Sequence, residues 1–185
     1  MAGNVEVERA AREAEVSAIG HIRVTRANAE RLPGFKLLTL EHAEHLGSLL
    51  ELQHWKNFHA AEDDALREEL LASLVADLAA HQEAERSVLY ARLSGHPKHG
   101  ATLDAHAQDD QKLLRVANQL RTLPPTDAAY AHSLQQLTAM YQQHSRREET
   151  ELFMKAQQVL DAKDETLRIE YLRAKARVQR AMLEP

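Results

Sequence analysis

Four long stretches of this chain repeat apolar residues at spacings of three and four, and each breaks its apolar stripe with a histidine near its middle. Such spacing keeps side chains on one face of an α-helix, so the chain is confined to helices that bury one face against each other. The first stretch, Lys36 to about Phe58, aligns Leu38, His42, His45, Leu49 and Leu52. The second, Asp63 to Leu93, aligns Leu74, Leu78, His81, Glu85, Val88 and Leu89, and ends at Ser94-Gly95-His96-Pro97. The third, Gly100 to about Arg121, aligns Leu103, His106, Asp110, Leu113, Ala117 and Leu120. It stops ahead of Pro124-Pro125, because proline disfavours helix in the residue before it. The fourth begins at Thr126 or Asp127, either of which suits an N-cap. It runs to about Leu160 with Leu134, Leu137, Tyr141, His144, Glu148 and Leu152 on one face. No strand pattern competes, since strict alternation is nowhere sustained.

Four such helices with short connections predict an all-α fold, an antiparallel up-down four-helix bundle over residues 35–161. The break at Leu32-Pro33-Gly34 sets off an N-terminal helical extension, residues 1–34, in which Val5, Val16, Ile19 and Ile22 form a weak stripe. Residues 162–185 read as a charged C-terminal helix that either continues from the fourth helix or folds back. The terminal helices either pack on the bundle or support a homodimer. The absence of cysteine excludes disulfides, thiolate nucleophiles and Cys-held metal sites. A net charge of −5 with both signs interspersed predicts no nucleic-acid footprint. Met1 to Glu15 is charged without an apolar run, and no stretch approaches the length of a membrane span. No membrane association is expected, and the expected compartment is the cytoplasm.

Histidine is the unusual component, with 11 in the chain. Burying an unpaired ionisable group in a bundle core costs several kcal/mol. Here His42, His81 with Glu85, His106, and His144 with Glu148 all fall on buried stripes, and antiparallel packing brings them to one level. His81-Gln-Glu-Ala-Glu85 and His144-Ser-Arg-Arg-Glu148 each place an imidazole and a carboxylate one turn apart on one face. Such a helix can offer nitrogen to one metal ion and a bridging carboxylate to a second, with ions about 3.5–4 Å apart. A water-derived oxo or hydroxo bridge would complete the core. Four imidazoles and two carboxylates suit iron (Fe2+/Fe3+) better than magnesium or calcium, while zinc or manganese could fill the site in vitro. Any one of these residues alone reads more simply as an exposed pair or a hydrogen-bonded core histidine. Their conjunction on four helices points to a metal pair.

In this order the residues resemble the hemerythrin-like, or HHE cation-binding, family, over about Lys36 to Leu160. The likeness rests on Leu40-Glu41-His42, on His81 to Glu85 followed by Leu89-Tyr90, on Ala105-His106, and on His144 to Glu148 followed by Glu151-Leu152-Phe153. The resemblance implies two iron ions bridged by Glu85 and Glu148, with His42 and His81 on one ion and His106 and His144 on the other. Oxygen-carrying members have a further histidine one turn after the third-helix ligand, where this chain has Asp110. Asp110 then replaces it as a ligand, accepts a hydrogen bond beside it, or leaves that iron an open position. His45 has three readings: ligand, donor to a ligand, or ordinary stripe residue. Tyr141 either donates to a bound oxygen species or is a hydrogen-bonded core tyrosine. His54, His59, His96 and His99 are expected in solvent, and Glu149 is expected to point away from the site.

The resemblance implies a protein that binds or reacts with dioxygen, nitric oxide or peroxide, in sensing, storage or stress response. A related implication is an enzyme that decomposes peroxide or repairs iron–sulfur centres, the latter weakened by the missing cysteine. The competing class is a metal-free helical interaction protein. A ferritin-like oxidase fails on spacing, since only Glu51-Leu-Gln-His54 fits its Glu-x-x-His repeat. No phosphate loop, nucleophile elbow or His-Glu-x-x-His helix is present.

Overall fold

The computed structural model describes residues 34–55, 61–96, 99–160 and 165–183, and among them every regular element is helical. The predicted N-terminal helix and His59 lie outside the described residues. Helix α1 spans Gly34–Trp55. Helix α2 spans Ala61–Ala84 and passes through a π-helical turn, Glu85–Tyr90, into a last α turn, Ala91–Leu93. Helix α3 spans Gly100–Leu120. Helix α4 spans Ala128–Arg147 and likewise passes through a π turn, Glu148–Leu152, into Phe153–Gln157. Helix α5 spans Glu165–Leu183. Asp127 is the N-cap of α4: its backbone is extended and its carboxylate accepts from the Ala129 N–H at 2.8 Å. None of these helices is long and apolar enough to cross a membrane.

Helix α1 packs on α2 and α4, and α3 packs on the same two. Two apolar clusters form inside. One gathers Leu37 and Leu38 from the start of α1, Leu89 and Leu93 from the end of α2, Leu103 from the start of α3, and Phe153 from the end of α4. The other gathers the opposite ends, including Leu49, Leu52, Leu74, Leu113, Leu120, Leu134 and Leu137. The predicted histidines and carboxylates lie at the level between them.

The C-terminal helix does not prolong α4. It packs against α2, its π turn and α1, and its Leu167, Tyr171 and Ala174 join the first apolar cluster. Gly34 lets it approach closely, since a Cβ there would lie 3.1 Å from Leu167 Cδ2.

The π turns begin at Glu85 and Glu148 themselves. On a regular α-helix the fifth residue onward lies about 140° from the first. A π turn, with its i→i+5 bonds, brings that residue back above the first. Tyr90 and Phe153 stand in those positions and are buried, Tyr90 with its hydroxyl on Glu148 and Phe153 with its ring on His42.

Candidate metal centre

All seven residues aligned at the middle level, His42, His81, Glu85, His106, Asp110, His144 and Glu148, are buried, with Glu85 and Glu148 at 0% exposure. His42, His81, Glu85 and Glu148 each bring one ligand-type atom within 4.8 Å of the others. His81 Nε2 lies 3.3 Å from Glu85 Oε2. Glu148 Oε2 is shared, 3.4 Å from His42 Nε2 and 3.3 Å from His144 Nε2. His144 Nε2 also lies 3.3 Å from Asp110 Oδ1, and the His106 ring meets the His144 ring edge-on at 6.0 Å. Glu148 thus links a group on α1 and α2 to a group on α3 and α4.

Two outer carboxylates orient the first group. His42 Nδ1–H donates to Glu149 Oε1 at 2.8 Å, and His81 Nδ1–H donates to Glu41 Oε2 at 2.9 Å. With Nδ1 so engaged, each ring turns its Nε2 to the centre, as an outer-sphere acceptor does for a metal-ligating imidazole. Glu149 corrects the expectation that it faces away. It is half-buried, because the His42 side chain of α1 reaches across to it. Glu41 is buried on the inner face of α1, three residues after Leu38 and four before His45, whereas Glu149 is only half-buried.

His45 and Tyr141 form a separate pair. His45 Nε2–H donates to Asp77 Oδ2 and its Nδ1 accepts from the Tyr141 hydroxyl, both at 2.8 Å. Burial keeps this imidazole neutral, lowering its pKa to about 4. Both of its nitrogens are therefore occupied. Tyr90 is an addition the regular helical period could not place: its hydroxyl donates to Glu148 Oε1 at 2.9 Å and lies 3.3 Å from Asp110 Oδ2. Phe153 stacks on His42 at 5.8 Å. His54 and His96 are exposed, and His99 is half-buried at the start of α3.

The electrostatics are those of a site built for positive charge. Burial opposes a charge on His42, yet Glu148 and Glu149 outweigh it and raise its pKa to about 9. Burial also opposes ionisation of Glu148, but the His144 and His42 imidazoles hold its pKa well below the usual range. Burial pushes the Asp110 carboxyl up to about 7, opposed by His144 and reinforced by Glu148 and Glu85.

The donor set fits a cation. His42 Nε2, His81 Nε2, both Glu85 oxygens, both His106 nitrogens, Asp110 Oδ1, His144 Nδ1 and Glu148 Oε2 are buried without a hydrogen-bond partner among the described residues. Each such atom costs about 1–3 kcal/mol, a penalty that concentrates here for no packing benefit. The apolar clusters on either side supply no partner. Toward solvent, a cleft of about 80 Å³ opens between α2 and α3 and reaches Asp110, lined by Gln82, Arg86, Ala107 and Gln111 among others. Gln82 Oε1 in its wall is also buried and without a hydrogen-bond partner.

The family described as Hemerythrin HHE cation binding domain matches residues 34–156 of the chain. A DNA nickase of Nostoc sp. is 27% identical over 116 residues, covering 62% of this chain and 33% of that protein. The chain thus spans about a third of that relative's length. No solved structure matches the chain.

Proposed function

The chain belongs to the hemerythrin HHE cation binding domain family, and on that premise we propose that it is a non-haem di-iron protein that binds or reacts with dioxygen, nitric oxide or peroxide. The observation that carries the reading is the layer of buried imidazole and carboxylate atoms without hydrogen-bond partners, drawn from all four of the helices α1 to α4. We read those four as an antiparallel up-down bundle, consistent with the way their alternate ends share the two apolar clusters. His42 and His81 would hold one ion, His106 and His144 the other, with Glu85 and Glu148 bridging and Asp110 beside the second. Iron, when bound, supplies electrons and open coordination for small ligands.

The rest is the work of this chain's own residues. Glu41 and Glu149 fix the His81 and His42 rings, and Tyr90 holds one oxygen of Glu148. The apolar clusters exclude water from both ends, and the narrow cleft at Asp110 supports a ligand of a few atoms. Sensing, storage and stress response all fit this arrangement, and peroxide decomposition is the enzymatic alternative. No DNA chemistry is proposed: the nickase match covers a third of that protein, and the chain carries a net charge of −5.

The test is visible absorption of the protein reconstituted with ferrous iron without air, recorded as air is admitted and withdrawn. Colour that comes and goes with air would mean reversible oxygen binding, while irreversible conversion to a ferric spectrum would favour redox sensing or peroxide chemistry. Glu85→Ala with Glu148→Ala should abolish uptake of the metal pair and leave a helical protein. Should the wild-type chain give no iron-dependent spectrum at all, the metal-free interaction protein becomes the better reading.

A further inference from the structure

Helix α5 lies beyond residue 156, where the family match ends, yet it reaches the candidate centre. Tyr171 and Lys175 stand one turn apart on it and are both buried. Glu41 Oε2 collects three donors: His81 Nδ1–H at 2.9 Å, the Tyr171 hydroxyl, and Lys175 Nζ at 3.0 Å, and the Tyr171 oxygen also lies 2.7 Å from His81 Nδ1, where it shares that N–H. Lys175 Nζ also lies 3.0 Å from both oxygens of Asp77, which accepts from His45 Nε2. One lysine on α5 thus joins the two carboxylates that orient His81 and His45.

We propose that α5 completes the metal centre, with Tyr171 and Lys175 as positioning residues that hold Glu41 against His81 Nδ1 so that Nε2 faces the metal. The inference rests on the di-iron reading above and goes beyond it, because no residue past the bundle helices enters that reading. Its physical basis is the cost of a buried carboxylate. With His81 as its one remaining donor of these three, Glu41 would be a buried carboxylate with too few donors, and its side chain would turn away toward other partners. His81 then loses the acceptor that fixes its tautomer. Removing an outer-sphere partner of a ligating imidazole typically costs about 10–100-fold in metal affinity.

The test uses the full chain carrying Tyr171→Phe with Lys175→Met, loaded with ferrous iron in the absence of air against a chromophoric chelator. The expected result is about 10–100-fold weaker retention of one of the two ions, a changed cobalt(II) absorption spectrum on substitution of that metal, and unchanged helical circular dichroism. Lys175→Arg, which keeps the charge, should recover most of the affinity. A role in packing alone would lower the melting temperature and leave the iron affinity and the cobalt spectrum as they are, and that result overturns the inference. If the double variant fails to fold, Tyr171→Phe decides it, since one hydroxyl is lost and unchanged affinity overturns the inference. A wild-type chain that takes up no iron overturns both readings, whereas a wild type that binds two ions beside an unaffected double variant overturns this one alone.

Discussion

At the scale of single residues, the network around Asp77 gives the sharpest dependence on pH away from the metal ligands. Burial raises the cost of ionising Asp77, but the His45 N–H and the Lys175 ammonium outweigh it and hold its pKa below the ordinary carboxylate value. A depressed carboxylate contributes stability that is complete above its unfolded pKa of about 4 and is lost as pH falls through the folded value. In a chelator, Asp77→Asn should therefore melt below the wild type at pH 7, and the gap should close as pH is lowered beneath about 4. A gap that stays constant down to pH 3 would show that the loss is one of packing. Spacing of three and four was enough to align the histidines and Glu85, Asp110 and Glu148 at one level. Glu41 was visible beside His42 in the motif, but its partners Tyr171 and Lys175 are 130 and 134 positions away, and no local period connects them.

At the scale of elements, the two π turns are where a regular helical reading fails. Each begins at the carboxylate of a His-x-x-x-Glu pair, and each shifts the register so that a residue five positions on faces the centre. The apolar stripe alone could not disclose this, because Val88, Leu89 and Leu152 remain buried in either register. Deleting Ser87, an exposed residue inside the first π turn, should restore an ordinary α turn while Tyr90 moves to the fourth position after Glu85 and keeps its face. A regular turn has better backbone bonding, so this variant should melt about 2–4 °C higher for each kcal/mol recovered. It should also hold iron less tightly, because Glu85 no longer starts a π turn. Equal iron affinity together with a raised melting temperature would mean that the π turn does not serve the site.

At the scale of the whole molecule, the question is whether α5 is an appendage or part of the cooperative unit. From sequence it was legible as a charged helix that either continues from the fourth helix or folds back, and its local pattern does not name what it packs on. The apolar cluster it joins is built from the starts of α1 and α3 and the ends of α2 and α4, so its contacts are long-range. Its polar contacts run to the same neighbours, with Arg92 reaching Glu170 at 2.8 Å and Gln179 reaching Asp77 at 3.0 Å. Leu167 is 3% exposed, and truncating a buried leucine to alanine costs about 2–5 kcal/mol. If α5 folds as one unit with the rest, Leu167→Ala should lower the single melting transition of the whole chain by about 4–20 °C, at roughly 2–4 °C per kcal/mol. If α5 were an appendage, the variant would instead lose a small part of its helical signal well below an unchanged main transition. The first outcome would mean that loosening α5 cannot be separated from loosening the four helices that hold His42, His81, His106 and His144. The hydrogen bonds from Tyr171 and Lys175 to Glu41 would then stand on the stability of the entire molecule, since nothing smaller keeps α5 in place.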